Sequence, residues 1–354
     1  MTAFWEGKTT SQDEAPLADW GIVRLEVPVP FDDTGGPANI YALENADGSL
    51  SLWDAGIGTP PALARLKKTA AEKGVDLDKV SRIFISHAHV DHYGAAEALA
   101  ARSGAQVYVH PLDAQKIVVP SDWTAVLYAH ADYMRKLGIS SQEMDDMKQS
   151  FKGAEAFAPP VLEKRVALME AGQVFSFAKF SGEILHAPGH SAGLVCLWAK
   201  EPNFLFSNDH ILQKIAPAPF LDLSMGEGDS KFLSLVEYIA SASRFADMPF
   251  GTLLPGHGAA FVGHKALLNA LLDFYAQRGQ RLLKLLGPQP MTVRALVGCL
   301  FARTETVQIW PMLSGVLAAL EVLEKAGHIQ RTEKRGQFLF SVPSPARSLF
   351  SRLF

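Results

Sequence analysis

The chain has little cysteine and no long run of apolar residues. Only 2 of its 354 residues are cysteines, and Cys196 and Cys299 lie far apart, each inside an apolar stretch. This argues against a disulfide scaffold and against a thiolate metal site, and it predicts that both thiols are free and buried. No segment is long and apolar enough to span a bilayer, so we expect no membrane partner.

A strong excess of charge of either sign is also missing. The net charge of -4 gives no global signature of nucleic-acid binding, so any basic surface must be local. Residues 1–19 lack a basic start followed by an apolar core, so we expect no signal peptide and a cytoplasmic protein. With 48% apolar and 20% charged residues, the chain has the composition of a soluble globular enzyme. Its length of 354 residues exceeds one typical domain, so we expect one large and one smaller domain.

What the chain does have is a dense cluster of metal-capable side chains. The cluster residues are His87, His89, Asp91 and His92. Residues 83–85 are β-branched or aromatic and predict a buried strand, and the alanine-rich residues 95–101 predict a helix. The cluster therefore lies on a strand-to-helix connection, where α/β proteins often place reactive sites. Imidazole and carboxylate ligands suit zinc, manganese and iron, and one such loop could hold two ions.

Further metal-capable side chains stand at the ends of other predicted strands. Asp54 follows the strand 50–53 beside a glycine-rich turn, and His190 follows a Pro-Gly turn. Asp209 and His257 come after the apolar segments 204–206 and 253–254. On its own, Asp54 is either a turn aspartate that bonds its own backbone or a partner of a ligand histidine.

Together these side chains form an ordered set of motifs between residues 20 and 265. It consists of Asp54-x-Gly56, His87-x-His89-x-Asp91-His92, Pro188-Gly189-His190, Asp209 and Gly256-His257. This set resembles the metallo-β-lactamase fold hydrolases. The resemblance implies an α+β fold, a four-layer αββα sandwich of two mixed sheets with helices on both outer faces and the metals at one edge. Asn208 departs from the pattern, because a glycine often precedes the bridging acid in the family, and this leaves the local loop conformation open.

Carried over residue by residue, the resemblance implies two divalent metal ions. The first ion would be held by His87, His89 and His190. The second would be held by Asp91, His92 and His257, with Asp209 bridging the two. Asp54 would accept a hydrogen bond from a ligand histidine and orient it. We expect zinc, with manganese and iron as alternatives because the same ligand types serve all three. Tyr93 and His210 flank ligands and are candidate substrate contacts, with packing as the alternative for both.

The implied reaction is hydrolysis of a small-molecule substrate. Two divalent ions lower the pKa of a shared water, so that a metal-bound hydroxide can attack an ester, thioester or lactone carbonyl without a dedicated protein base. Asp91 is a candidate proton shuttle as the intermediate collapses. Two other functions stay open: a metal-dependent endoribonuclease, and a DNA-binding regulator with a vestigial hydrolase domain.

Residues 122–157 predict a helical insertion within a catalytic domain that spans residues 1–287. The insertion is rich in methionine and aromatic residues. It could form a lid that accommodates an apolar substrate, or it could serve as a packing or dimer contact.

Residues 288–354 predict helices followed by a hairpin with a basic tip. This arrangement resembles the winged-helix-like domain that follows the catalytic domain in one branch of the superfamily. A nucleic-acid role would use Arg331, Lys334 and Arg335 on the wing, whereas the preceding helix offers two glutamates and only Lys325. We therefore favour structural or homodimer packing over nucleic-acid binding.

Overall fold

The computed structural model describes residues 15–30, 35–119, 123–151, 153–223, 231–286, 289–301 and 309–343. The chain divides into two compact units that are each discontinuous in sequence. The first unit comprises residues 1–121, 153–217 and 241–269, and the second comprises 122–152, 218–240 and 270–354. The boundary expected between residues 287 and 288 lies outside the described residues, so a division of the chain at that point stays a prediction.

The first unit contains two mixed β-sheets. The strands of the first sheet are β1 (Ile22–Val27), β2 (Ala38–Glu44), β3 (Leu50–Trp53), β4 (Val80–Phe84), β5 (Gln106–Val109) and β6 (Val166–Leu168). They lie side by side in chain order, antiparallel from β1 to β3 and parallel from β3 to β6. The strands of the second sheet are β7 (Val174–Ser176), β8 (Ser181–His186), β9 (Val195–Ala199), β10 (Phe204–Asn208) and β11 (Thr252–Pro255). Its order is β11-β10-β9-β8-β7, and only β10 and β11 are parallel.

The α-helices occur throughout the described chain. In chain order they are α1 (Ala15–Asp19), α2 (Pro60–Glu72), α3 (Val90–Tyr93), α4 (Ala96–Ser103), α5 (Pro111–Val118), α6 (Trp123–Ala129), α7 (Ala131–Lys136), α8 (Ser141–Phe151), α9 (Ser234–Ala246), α10 (His264–Leu286), α11 (Val293–Leu300) and α12 (Ile309–Lys325). None of these helices is both long and apolar enough to cross a lipid bilayer.

Alternation along the strands of the first sheet builds two apolar cores. Successive side chains of a strand point to opposite faces. Accordingly, Leu52 and Ile83 lie in a cluster with residues of α2 and α4, whereas Trp53 and Phe84 lie in a cluster with residues of the second sheet. The Trp53 ring is 6.0 Å from that of Phe206 on β10. The expected sandwich of two mixed sheets with helices is therefore confirmed.

The second unit joins the helical segment 123–151 to the C-terminal elements. The backbone N–H of Arg294 donates to the carbonyl of Leu137 at 3.0 Å, and its guanidinium lies 2.6 Å from the Glu143 carboxylate. The hairpin consists of β12 (Gln330–Lys334) and β13 (Gln337–Ser341), as the sequence predicts. The winged-helix assignment and the use of 122–157 as a lid stay predictions.

Three expectations about local structure need correction. The helical insertion predicted over residues 122–157 has a break at His130, between the end of α6 at Ala129 and the start of α7 at Ala131. The sequence predicts a loop over residues 86–94, which is called the cluster loop from here on. In the structure it contains the one-turn helix α3. Cys299 is exposed rather than buried, because α11 turns Val293, Leu296 and Val297 toward the core and leaves Cys299 on another face. Cys196 is buried and free, as expected.

Candidate metal centre

Strand direction brings the predicted site residues to one edge of the first unit. Because β3 and β4 are parallel, Asp54 and the cluster loop follow them at the same edge of their sheet. Because β10 and β11 are also parallel, Asp209 and His257 follow them at one edge of the second sheet. His190 lies on the turn between β8 and β9. Residues far apart in sequence are thereby collected into one cluster.

Three histidines form the first group of convergent donor atoms. One nitrogen from each of His87, His89 and His190 lies within 4.8 Å of the others. Nε2 of His87 is 2.9 Å from Nδ1 of His89, and the ring centroids of His89 and His190 are 4.5 Å apart. These are the histidines that the resemblance assigns to a first metal.

Asp209 lies at the meeting point of the remaining donors. Its Oδ2 is 3.5 Å from Nε2 of His92, His190 and His257. Donor atoms of His87, His92 and Asp209 form one convergent group, and those of Asp91, His92 and His257 form another. The carboxylate of Asp209 therefore faces histidines from both predicted metal sites.

The hydrogen bonds of two rings determine which nitrogen faces the cluster. Nδ1 of His92 lies 2.8 Å from Oδ2 of Asp54, and Nδ1 of His257 lies 3.0 Å from the carbonyl oxygen of Gly36. Carboxylates and carbonyls can only accept, so Nδ1 carries the proton in each ring. In the neutral form, each Nε2 then presents a lone pair to the cluster.

Several of these inward-facing atoms lack a hydrogen bond. Nε2 of His92, Nε2 of His257 and Oδ1 of Asp209 are buried and have no hydrogen-bond partner in the described part of the chain. Buried polar atoms normally have partners, and clustered exceptions call for an explanation such as an ion. Imidazole nitrogens and a carboxylate oxygen in this arrangement fit a divalent metal ion.

Charge is distributed unevenly across the cluster. Burial lowers the pKa of His87 well below its ordinary value and that of His89 to about 3, and neighbouring histidines add to the effect. For His257, burial opposes protonation, but the carboxylates of Asp209 and Asp91 outweigh it and raise the pKa to about 10. For Asp91, burial favours the neutral form, but His92 and His257 outweigh it and lower the pKa to about 2. One side of the metal-free cluster thus holds neutral rings and the other holds ion pairs.

Asp54 is hydrogen-bonded to His92 and to two further segments of the chain, and its role in orienting a ligand stays a prediction. Its Oδ1 accepts a hydrogen bond from the backbone N–H of Ser86 at 2.8 Å, and its Oδ2 accepts from the amide of Asn208 at 2.6 Å. Asn208 has a φ of 45°, in the left-handed region where glycine is usual and asparagine is tolerated. Asparagine in place of the usual glycine therefore keeps the left-handed backbone conformation and adds a hydrogen bond to Asp54. The sequence missed this role of Asn208 because it depends on a partner 154 residues away.

Tyr93 and His210, the candidate substrate contacts, are both buried. Tyr93 belongs to the apolar cluster that contains residues of α2 and α4, and its hydroxyl lies 3.5 Å from the carbonyl of Lys116. The His210 ring packs against Phe245 with centroids 4.7 Å apart, and burial followed by the charge of Arg244 lowers its pKa to about 3. Their contact with substrate stays a prediction.

Comparisons with known proteins point to one superfamily. A family model described as the Metallo-beta-lactamase superfamily matches residues 33–257. The protein named "Probable metallo-hydrolase YqjP" of Bacillus subtilis (strain 168) is 23% identical over 307 residues, which cover 86% of this chain and 92% of the relative. An acyl-coenzyme A thioesterase of Gallus gallus is 24% identical over 259 residues, which cover 70% of this chain and 82% of the relative. The crystal structure of a metallo-beta-lactamase family protein from Thermus thermophilus superposes with a TM-score of 0.76 at 23% identity, covering 91% of this chain and 99% of that one.

Proposed function

Since this chain belongs to the metallo-β-lactamase superfamily of hydrolases, we propose that it uses two divalent metal ions to cleave an ester, thioester or lactone, with a thioester as the first choice. The position of Asp209 supports the two-metal part of this proposal. Its Oδ2 lies 3.5 Å from a nitrogen of His190, which belongs to the first group of donors, and 3.5 Å from nitrogens of His92 and His257, which belong to the second.

We assign the ligands by their grouping. His87, His89 and His190 would hold the first ion. Asp91, His92 and His257 would hold the second, and Asp209 would be shared. When bound, such ions supply a water of lowered pKa and stabilise negative charge that develops on the substrate. Zinc suits this donor set, and manganese and iron use the same ligand types.

The chain's own residues would orient the ligands and move protons. Asp54 would accept a hydrogen bond from the Nδ1–H of His92 and so keep Nε2 directed at the site. Oδ2 of Asp91 lies 3.4 Å from Nε2 of His257, inside the candidate cluster. We propose its carboxylate as the proton shuttle, because it lies where the reaction would take place. An Asp91→Asn variant with full metal content and full turnover would contradict that role.

The thioester preference is supported by the Gallus gallus relative, which is named an acyl-coenzyme A thioesterase. Thioesters, esters and lactones share an electrophilic carbonyl, so one site can be tested on all three. Single-stranded RNA tests the endoribonuclease alternative, and duplex DNA tests the regulator alternative.

The experiment measures metal content and substrate range on the same preparation. Protein purified without chelator is analysed by mass spectrometry for zinc, manganese and iron, and then assayed with acyl-coenzyme A thioesters, esters, lactones and RNA. We expect two ions per chain and thioester hydrolysis that is lost in Asp209→Ala. The control is Asp47→Asn, because Asp47 lies in an exposed turn, where its carboxylate accepts a hydrogen bond from the backbone N–H of Ser49. RNA cleavage that depends on Asp209, without carbonyl activity, would overturn the proposed substrate class.

A further inference from the structure

Asp113 is a fully buried carboxylate that lies outside the candidate ligand set. It stands in the first turn of α5, after the helix cap at His110. Its Oδ2 accepts hydrogen bonds from the backbone N–H of Ala88 at 3.0 Å and from the hydroxyl of Ser191 at 2.7 Å. Its Oδ1 accepts from the ammonium of Lys116 at 2.8 Å. These bonds involve a charged acceptor, which makes them stronger than bonds between neutral groups.

The two donors to Oδ2 belong to the two loops that carry the first group of histidines. Ala88 separates His87 from His89, and Ser191 immediately follows His190. A single carboxylate oxygen therefore connects the loop after β4 to the turn after β8. Because each donor is adjacent in sequence to a histidine, a shift of either donor moves a ring of the cluster.

Close packing reinforces this connection. A Cβ at Gly193 would lie 2.6 Å from Cγ of Asp113, so the turn that carries His190 closes directly onto the carboxylate. The backbone also links the two segments, since the N–H of Val195 donates to the carbonyl of Ser86 at 2.9 Å. That backbone bond lies beside His87 but meets the second segment only at the start of β9, whereas Ser191, which donates to Asp113, is adjacent to His190.

We propose that Asp113 is a positioning residue that sets the spacing of His87, His89 and His190 and thereby the affinity of the first metal site. This inference rests on the proposed function, because it concerns the same metal centre. The second site is held from another direction, by Asp54 behind His92 and by backbone carbonyls behind His257. Loss of Asp113 should therefore weaken the two sites unequally.

The test compares variants that remove the connection in steps. Ser191→Ala removes the bond to one loop and keeps the buried carboxylate. Asp113→Asn leaves Ala88 and Ser191 only a weaker, neutral acceptor, and it turns an amide N–H toward the ammonium of Lys116, which pushes the side chain away from its donors. Adding Lys116→Gln to Asp113→Asn restores an acceptor for that amide without restoring charge. Stepwise zinc affinities are measured by chelator competition, and cobalt(II) spectra report the coordination at each site.

We expect Ser191→Ala and Asp113→Asn to weaken the first site by about 10- to 100-fold, the range typical of groups that orient ligands. The second site should change little, and the double variant Asp113→Asn/Lys116→Gln should regain most of the lost affinity. The matched control is Asp145→Asn/Lys148→Gln, because Asp145 and Lys148 form a pair with the same three-residue spacing as Asp113 and Lys116, whereas the Asp145 carboxylate is 65% exposed. Equal weakening of both sites, or no weakening of either, would overturn the role of Asp113.

An experiment on the metal-free protein tests the role of Asp113 independently of the proposed function. If the unaltered chain binds no metal, the proposed function fails, but nuclear magnetic resonance of the rings still decides the role of Asp113. Signals of His87, His89 and His190 should shift in Ser191→Ala while those of His92 and His257 stay in place. Unchanged signals of the first three rings would overturn the inference. Ser191→Ala keeps the carboxylate bond to Ala88, so the test does not depend on the folding of the Asp113 variants.

Discussion

Oδ2 of Asp54 lies 2.8 Å from Nδ1 of His92, although 38 residues separate the two in sequence. The same carboxylate receives the amide of Asn208 at 2.6 Å and the backbone N–H of Ser86 at 2.8 Å. Asp54 thus joins the ends of three strands at the base of the candidate metal centre and is hydrogen-bonded to one candidate ligand.

Replacing Asp54 should weaken metal binding without removing a ligand. In Asp54→Asn, the side chain loses its charge and one acceptor oxygen, so His92 is held less firmly. We expect the zinc affinity to fall by about 10- to 100-fold, as for other groups that orient ligand histidines. Chelator competition measures this change. Asp47→Asn, in the exposed turn, is the control, and equal affinities for the two variants would contradict the orienting role of Asp54.

Gly256 should tolerate no side chain. A Cβ at this position would lie 2.9 Å from Cε1 of His92 and closer still to Oδ1 of Asp209. Gly256→Ala should therefore displace candidate ligands and lower kcat/KM by about a hundredfold, as expected for a displacement of about 1 Å. Gly279→Ala is the control, because the nearest atom to a Cβ there lies 3.6 Å away, on Leu323. Wild-type kcat/KM and metal content in Gly256→Ala would show that the close approach has no importance.

Metal binding should release protons, and most of them should come from the second site. Asp209 and Asp91 raise the pKa of His257 to about 10, so its ring is protonated at pH 7 in the metal-free protein and must lose that proton to bind a metal. The apparent affinity should therefore rise with pH up to about 10. His87 and His89, whose pKa values are lowered, release none at pH 7.

Calorimetry in buffers of different ionisation enthalpy measures this release. His257→Asn should reduce the number of protons released by about one, since one titrating ligand is gone. His264→Asn is the control, because the pKa of His264 is lowered and its ring bonds to the carbonyl of Met248. The same proton count in His257→Asn and in the unaltered chain would contradict the charge distribution described for the cluster.

In the second unit, the buried ion pair between Lys231 and Glu321 should matter more than surface pairs. Both side chains are 7% exposed, and Lys231 also donates to the hydroxyl of Tyr133 at 3.0 Å. Glu321→Ala leaves a buried ammonium without its carboxylate, so we expect a loss of about 3–5 kcal/mol in the free energy of unfolding. Replacement of both Lys231 and Glu321 by methionine should restore much of this loss.

Urea unfolding measures the change. The surface pair of Lys265 and Asp247 provides the control, since its side chains are 64% and 82% exposed and Asp247→Ala should change stability little. A similar loss for Asp247→Ala and Glu321→Ala would show that burial of the pair does not determine its importance.

Local sequence predicted most of the strands and the candidate donors. Apolar residues end both β3 and β4, so those ends, and with them Asp54 and His87, could be placed from residue type alone. The one-turn helix α3 was missed because four residues carry no helical periodicity. Likewise, the break at His130 lies inside a segment whose composition favours helix on both sides.

The residues that hold the donors in place were much harder to predict. Asp113 has an ordinary acidic side chain at the start of a helix, and nothing near it in sequence indicates that it accepts from Ala88 and Ser191. At Asn208 the sequence shows only a departure from the family pattern. Their partners lie 25 to 154 residues away, and such contacts exist only after the sheets have packed.

The sequence by itself therefore determined which chemistry the chain can carry, because donor type and strand-end position are local properties of residues 87–92, 190, 209 and 257. Only the tertiary structure decided how those donors meet. Parallel pairing of β3 with β4 and of β10 with β11 brings their ends to common edges, and packing of the two sheets places Oδ2 of Asp209 3.5 Å from three histidines. Distances of this kind depend on long-range packing, which residue spacing along the chain does not specify.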